Sequence, residues 1–95
     1  MSERPRATGT TIVENERVVV AEWRFAPGSE TGWHVHAHDY VVTYRTAATH
    51  LIETRSGSDS VSRVAGETYF RKAGVEHNVI NAGANEVVFI EIEIK

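Results

Sequence analysis

Apolar residues recur at every second position in short segments along most of the chain, and that period limits the possible folds more than any other feature. In VVFIEIEI, Val88, Ile90, Ile92 and Ile94 alternate with Val87, Phe89, Glu91 and Glu93, the pattern of a half-buried strand. In VVVAEWRF the residues Val19, Ala21, Trp23 and Phe25 form the more apolar face, which leaves Glu22 and Arg24 on the other. No stretch carries the period and the caps of a long amphipathic helix. Turn residues punctuate the pattern at Glu14–Glu16, Pro27-Gly28, Ser56–Asp59, Ala73-Gly74 and Asn81–Asn85, where glycine, asparagine, aspartate and serine favour reversals. The pattern predicts a short strand before Glu14, a longer one from Arg17, and others near 32–45, 49–54, 60–64, 68–71, 76–81 and 86–94. The fold class is therefore all-β, a sandwich or jelly-roll barrel, with no internal repeat.

Ninety-five residues supply one small core and no second domain. Residues 1–10, with little to bury, are expected to form a mobile tail or arm, and 11–95 the single domain. Hydrophobic residues are 41% and charged residues 24% of the chain, an ordinary globular mixture. The net charge of −3 comes from ten basic and thirteen acidic residues that are scattered, so nucleic acid is not an expected partner. The start MSERPRATGTT has no apolar signal core, and no apolar run approaches the roughly 20 residues of a membrane helix. With no cysteine, any metal must be held by nitrogen and oxygen, and a cytoplasmic location is expected.

GWHVHAHDYVV, Gly32–Val42, sets His34, His36, His38 and Tyr40 at alternate positions. On a regular strand they share one face, spaced roughly 6.5–7 Å apart, so the His34 and His36 rings can turn toward one ion. Two such ligands are equally compatible with partly exposed strand histidines. His38 has the same parity but lies one pair too far along, which makes it a candidate acid or base beyond the ligands, or a partly buried histidine. Asp39 has the opposite parity, and His50 has no partner in the pattern.

GETYFRKAGVEHNVIN, Gly66–Asn81, completes a second pattern. Gly28 precedes His34 and His36 at one fixed spacing, and Gly66, Gly74, His77 and Asn81 follow another. In these two motifs the sequence resembles the cupin superfamily, over about Val19–Ile94, and more narrowly the small single-domain cupins labelled β-alanine degradation proteins. The resemblance implies a double-stranded β-helix jelly roll with one divalent metal near the barrel mouth, held by His34, His36 and His77. Tyr40 stands where such proteins usually carry a glutamate ligand, while Lys72 replaces the motif proline and Ala47 a glycine.

Without that glutamate, three neutral imidazoles leave a divalent ion its full +2 charge, which favours an anionic ligand. Tyr40, whose phenol ordinarily titrates near 10, is expected to donate a hydrogen bond to bound water or substrate rather than ligate. The expected cofactor is one divalent transition-metal ion (Fe, Ni, Zn or Mn), and the expected partner a small anionic or chelating metabolite. Iron(II) would suit a dioxygenase, and the other metals an isomerase or lyase. A non-catalytic binding or sensing cupin is the alternative, favoured by the lack of an obvious carboxylate base inside the barrel. Arg71, nearest the second motif, is the best arginine for a substrate carboxylate. The surplus of apolar strand residues predicts a homodimer.

Overall fold

The computed structural model describes residues 3–95. Among them are nine strands and no helix: β1 (Thr8–Glu14), β2 (Val18–Phe25), β3 (His34–Val35), β4 (Asp39–Tyr44), β5 (Ala48–Thr54), β6 (Gly57–Arg63), β7 (Thr68–Arg71), β8 (Glu76–Asn81) and β9 (Val87–Ile94). They form two sheets, β1-β2-β9-β4-β7 and β3-β8-β5-β6, and all strand pairs are antiparallel.

Register decides which face of each strand is inside. β2 pairs with β9 along its whole length, with Trp23 opposite Phe89 and Phe25 opposite Val87. β4 lies on the other side of β9, with Tyr44 opposite Phe89. Phe25, Tyr40, Val42, Tyr44, Ala48, Val79, Val87 and Phe89 close one core cluster between the sheets. Each large apolar side chain there contributes about 1.5–3 kcal/mol of burial. On the opposite face of β9, Ile90 and Ile92 are half-buried and Ile94 is exposed.

Three strand-level expectations change. The continuous strand over 32–45 is two strands, because the chain leaves the ladder at residues 36–38. The turn expected at Ser56–Asp59 tightens to Arg55-Ser56, and β6 already starts at Gly57, opposite Thr54. The N-terminal stretch is docked where it is described: the Ala7 amide donates to the Glu30 carbonyl at 2.8 Å, and the Glu30 amide to the Pro5 carbonyl at 2.9 Å. β1 then begins at Thr8, inside the expected tail. Residues 1–2 of that tail lie outside the described residues.

Candidate metal centre

One register brings the two histidine motifs together. In the β3–β8 pair His34 lies directly opposite His77, and side chains opposite one another in an antiparallel pair share a face. His36 lies beyond β3 but is tied to the same neighbour. Its amide donates to the Val75 carbonyl at 2.9 Å, and its carbonyl accepts from the Gly74 amide at 2.8 Å. Gly74 makes this contact at φ +102°, a conformation residues with a side chain rarely adopt.

Nε2 of His36 lies 3.0 Å from Nε2 of His34 and 3.2 Å from Nε2 of His77. One ring nitrogen from each lies within 4.8 Å of the others. Two nitrogens bonded at about 2.0–2.1 Å to one ion are roughly 3 Å apart when their bonds meet near a right angle, so the spacing fits a shared ion. Protonation fits as well. The Gly32 carbonyl lies 2.8 Å from Nδ1 of His34. A carbonyl only accepts, so Nδ1 carries the proton and Nε2 presents a lone pair. Burial, reinforced by the neighbouring imidazoles, pushes His36 and His77 down to about 4, which keeps both rings neutral as metal ligands must be.

Gly32 is itself braced. Its amide donates to Oδ1 of the buried Asn78 at 3.0 Å, and the Arg6 guanidinium occupies the space a Cβ would fill. Arg6 also donates to the Thr31 carbonyl at 2.9 Å, so the docked N-terminal segment supports the loop that orients His34.

The remaining sequence candidates separate. Tyr40 is buried and stacks on the His36 ring, with centroids 3.9 Å apart and planes 16° apart. Burial pushes its phenol well above the ordinary value, so the hydroxyl stays protonated, and it has no protein hydrogen-bond partner among the described residues. His38 is half-buried at the bend after His36 and is not among the residues lining the cavity beside the cluster. Strand parity, which suggested a role for it, is lost where the ladder breaks. Asp39 accepts the Ala73 amide at 2.8 Å. Arg71 is exposed, and its guanidinium lies 4.4 Å from the centre of the Tyr69 ring. His50 is packed into the core away from the cluster.

A cavity of about 320 Å³ opens beside the cluster, lined by His34, His36, His77, Tyr40, Glu91 and Glu93 among others. The two glutamates correct the expectation of a barrel without a carboxylate. Their strand alternates Val87, Phe89, Glu91, Glu93, and since Phe89 and Val87 are core residues, parity carries the next two inward. Burial, with Glu93 nearby, raises the Glu91 carboxyl to about 7.

No family model matches the sequence. The chain is 62% identical to the β-alanine degradation protein BauB of Pseudomonas aeruginosa, over 95 residues that span the whole of both proteins. It is also similar to the crystal structure of a cupin domain from Bordetella pertussis Tohama I, at TM-score 0.96 and 53% identity, covering 100% of this chain and 99% of that one. The polyketide cyclase RemF of Streptomyces resistomycificus shares the fold at TM-score 0.73 and 18% identity, with 98% of this chain and 70% of that one covered. The chain belongs to the cupin superfamily, and its fold is the double-stranded β-helix. Among the described residues no helix is long and apolar enough to cross a membrane.

Proposed function

We propose that the protein is a metal-dependent cupin enzyme that holds one divalent transition-metal ion (Fe, Ni, Zn or Mn) at His34, His36 and His77 and acts on a small metabolite in the adjoining cavity. The observation that carries this reading is the convergence of three imidazoles through Nε2, with contacts of 3.0 and 3.2 Å. When bound, the ion would supply Lewis-acid chemistry or, as iron(II), a centre for oxygenation. Tyr40, stacked on His36, offers a hydroxyl donor. The apolar part of the lining, including Trp23, Val42, Val79 and Phe89, limits the water that competes for these polar groups.

Turnover is favoured over simple sensing by Glu91, a cavity carboxyl poised near 7 and so able to hold or release a proton at neutral pH. The name of the Pseudomonas relative makes β-alanine and its breakdown products the first metabolites to try. The test is elemental analysis of protein purified without chelator, followed by turnover assays on small carboxylates and amino acids with iron(II) and then the other metals. One ion per chain and metal-dependent turnover are expected. Stoichiometric metal without turnover of any of these compounds would instead favour a binding cupin.

The same reading includes a homodimer. Val13, Phe70 and Ile94, 43–48% exposed, lie on the outer face of the five-stranded sheet with Val18, Val20, Val41, Ile90 and Ile92, a face a second copy can cover. Light scattering should give twice the 10.6 kDa chain mass, and a monomer would refute it.

A further inference from the structure

Glu91 and Glu93 stand out among the acidic residues. Glu22, Glu30, Glu67 and Glu76 are each held by an arginine. The two β9 carboxylates line the cavity and have no hydrogen-bond donor or ion-pair partner among the described residues. An unpartnered carboxylate inside a barrel is costly to fold around. The outward positions interleaved with them are Ile92 and Ile94, so the strand carries its charge inward and its apolar side chains outward. Solubility does not account for that arrangement.

Their placement relative to the histidines follows from register. Glu93 is the cross-strand neighbour of Tyr40 and Glu91 of Val42, and Tyr40 lies flat on His36 at 3.9 Å. Tyr40 therefore links the histidine cluster to the position of Glu93, and Glu91, two residues back along β9, lines the same cavity. The histidine end, when it holds a divalent ion, is cationic and accepts a carboxylate. The β9 end carries two carboxyl groups without an ion-pair partner among the described residues. A small ligand that satisfies both ends carries opposite charges a few bonds apart.

We propose that Glu91, with Glu93 beside it, binds the protonated amine of a small zwitterionic amino acid whose carboxylate is held at the histidine end of the cavity. This rests on the metal-centre reading for its carboxylate end. It changes the expected substrate class from a simple anion to an ω-amino acid or a compound of the same charge pattern. The ammonium gains two charge-assisted hydrogen-bond acceptors, and the carboxylates lose their uncompensated charge.

The proposal is tested by calorimetric titration of the metal-loaded protein at pH 7 with two matched pairs, β-alanine against propionate and 4-aminobutyrate against butyrate. The amino acid of at least one pair should bind ten-fold or more tightly than its deaminated partner. Glu91→Gln should abolish that preference, and Glu93→Gln should reduce it. A carbon-detected NMR titration of the Glu91 carboxyl should show its midpoint falling when the amino acid binds. Equal affinity within both pairs, no binding of any of the four, or full preference in both variants would overturn the proposal. Metal content of the same sample scores the underlying reading separately. One ion per chain without an amine preference removes only the zwitterion, whereas a Glu91-dependent preference in protein that binds no metal removes only the histidine centre.

Discussion

His50 and His36 are both buried, at 1% and 7% exposure, and each touches a buried tyrosine, yet their chemistry is opposite. Nδ1 of His50 donates to the Ile80 carbonyl at 3.2 Å, and its Nε2 accepts the Tyr44 hydroxyl at 2.9 Å. With both nitrogens used and Phe25 edge-on at 5.6 Å, the ring is part of the core. At the other site Tyr40 meets His36 through its face, and Nε2 of His36 points at two further imidazole nitrogens. Burial therefore does not separate a packing histidine from a ligating one. What separates them is whether the protein already satisfies the second nitrogen.

The largest contrast should come from removing one histidine of each kind. His77→Ala takes away a proposed ligand, and metal affinity should fall by more than the roughly 10- to 100-fold typical of losing a supporting contact. Elemental analysis and competition with a chromogenic chelator would measure it. A stoichiometric ion held with unchanged affinity would break the comparison and the three-histidine assignment with it. His50→Ala should do the reverse. It leaves a cavity and an unpaired Tyr44 hydroxyl, so stability in urea should fall by about 3 kcal/mol. The metal-to-chain ratio of the folded protein should not change.

The sequence brought the three candidate ligands within reach because two motif spacings survive intact and a short antiparallel pair sets His34 against His77. His38 could not be judged from spacing. The break in the ladder depends on contacts of residue 36 with Gly74 and Val75, far away in sequence. His50 has no partner in the sequence pattern, since its two partners, Tyr44 and Ile80, are fixed only by folding. The glutamates were missed for another reason. Alternation along β9 defines two faces but not which one is inside, and Ile90, Ile92 and Ile94 make the outer face the more apolar. Only pairing with Trp23 and Phe25 settles the choice. Docking of residues 4–7 on Glu30 and Thr31 likewise involves no periodic pattern.

Glu91 sharpens the contrast between the two regions through pH. Its carboxyl sits at about 7 in the folded protein against an ordinary 4.5, so between those values the folded state keeps a proton the unfolded chain has released. The stability from neutral Glu91 is therefore complete below about pH 4.5 and is lost as pH rises to about 7. His36 and His77, lowered to about 4, act in the opposite sense, since stability from them grows as pH rises from about 4 to 6.5. The difference between wild type and Glu91→Gln isolates the glutamate. At pH 8 the metal-free variant should be the more stable by about 2–3 kcal/mol, with the gain vanishing toward pH 4.5. A gain that does not change with pH would mean that Glu91 is not desolvated in the cavity.

The smallest effects on stability distinguish the two tyrosines. Tyr44→Phe removes the donor to Nε2 of His50 and should cost about 1 kcal/mol, with metal and ligand binding intact. Tyr40→Phe removes a hydroxyl that has no protein partner among the described residues and keeps the ring stacked on His36, so stability should stay within about 0.5 kcal/mol of wild type. The ion should also be retained. If the hydroxyl donates to the cavity ligand, propionate and β-alanine should both bind more weakly, by about 1–3 kcal/mol. Loss of the metal from Tyr40→Phe would instead make the phenolate a ligand, lower the charge of the centre, and remove the argument that its open face prefers a carboxylate. Unchanged binding of both compounds would reduce Tyr40 to packing on His36, leaving discrimination within the cavity to the metal and the β9 carboxylates.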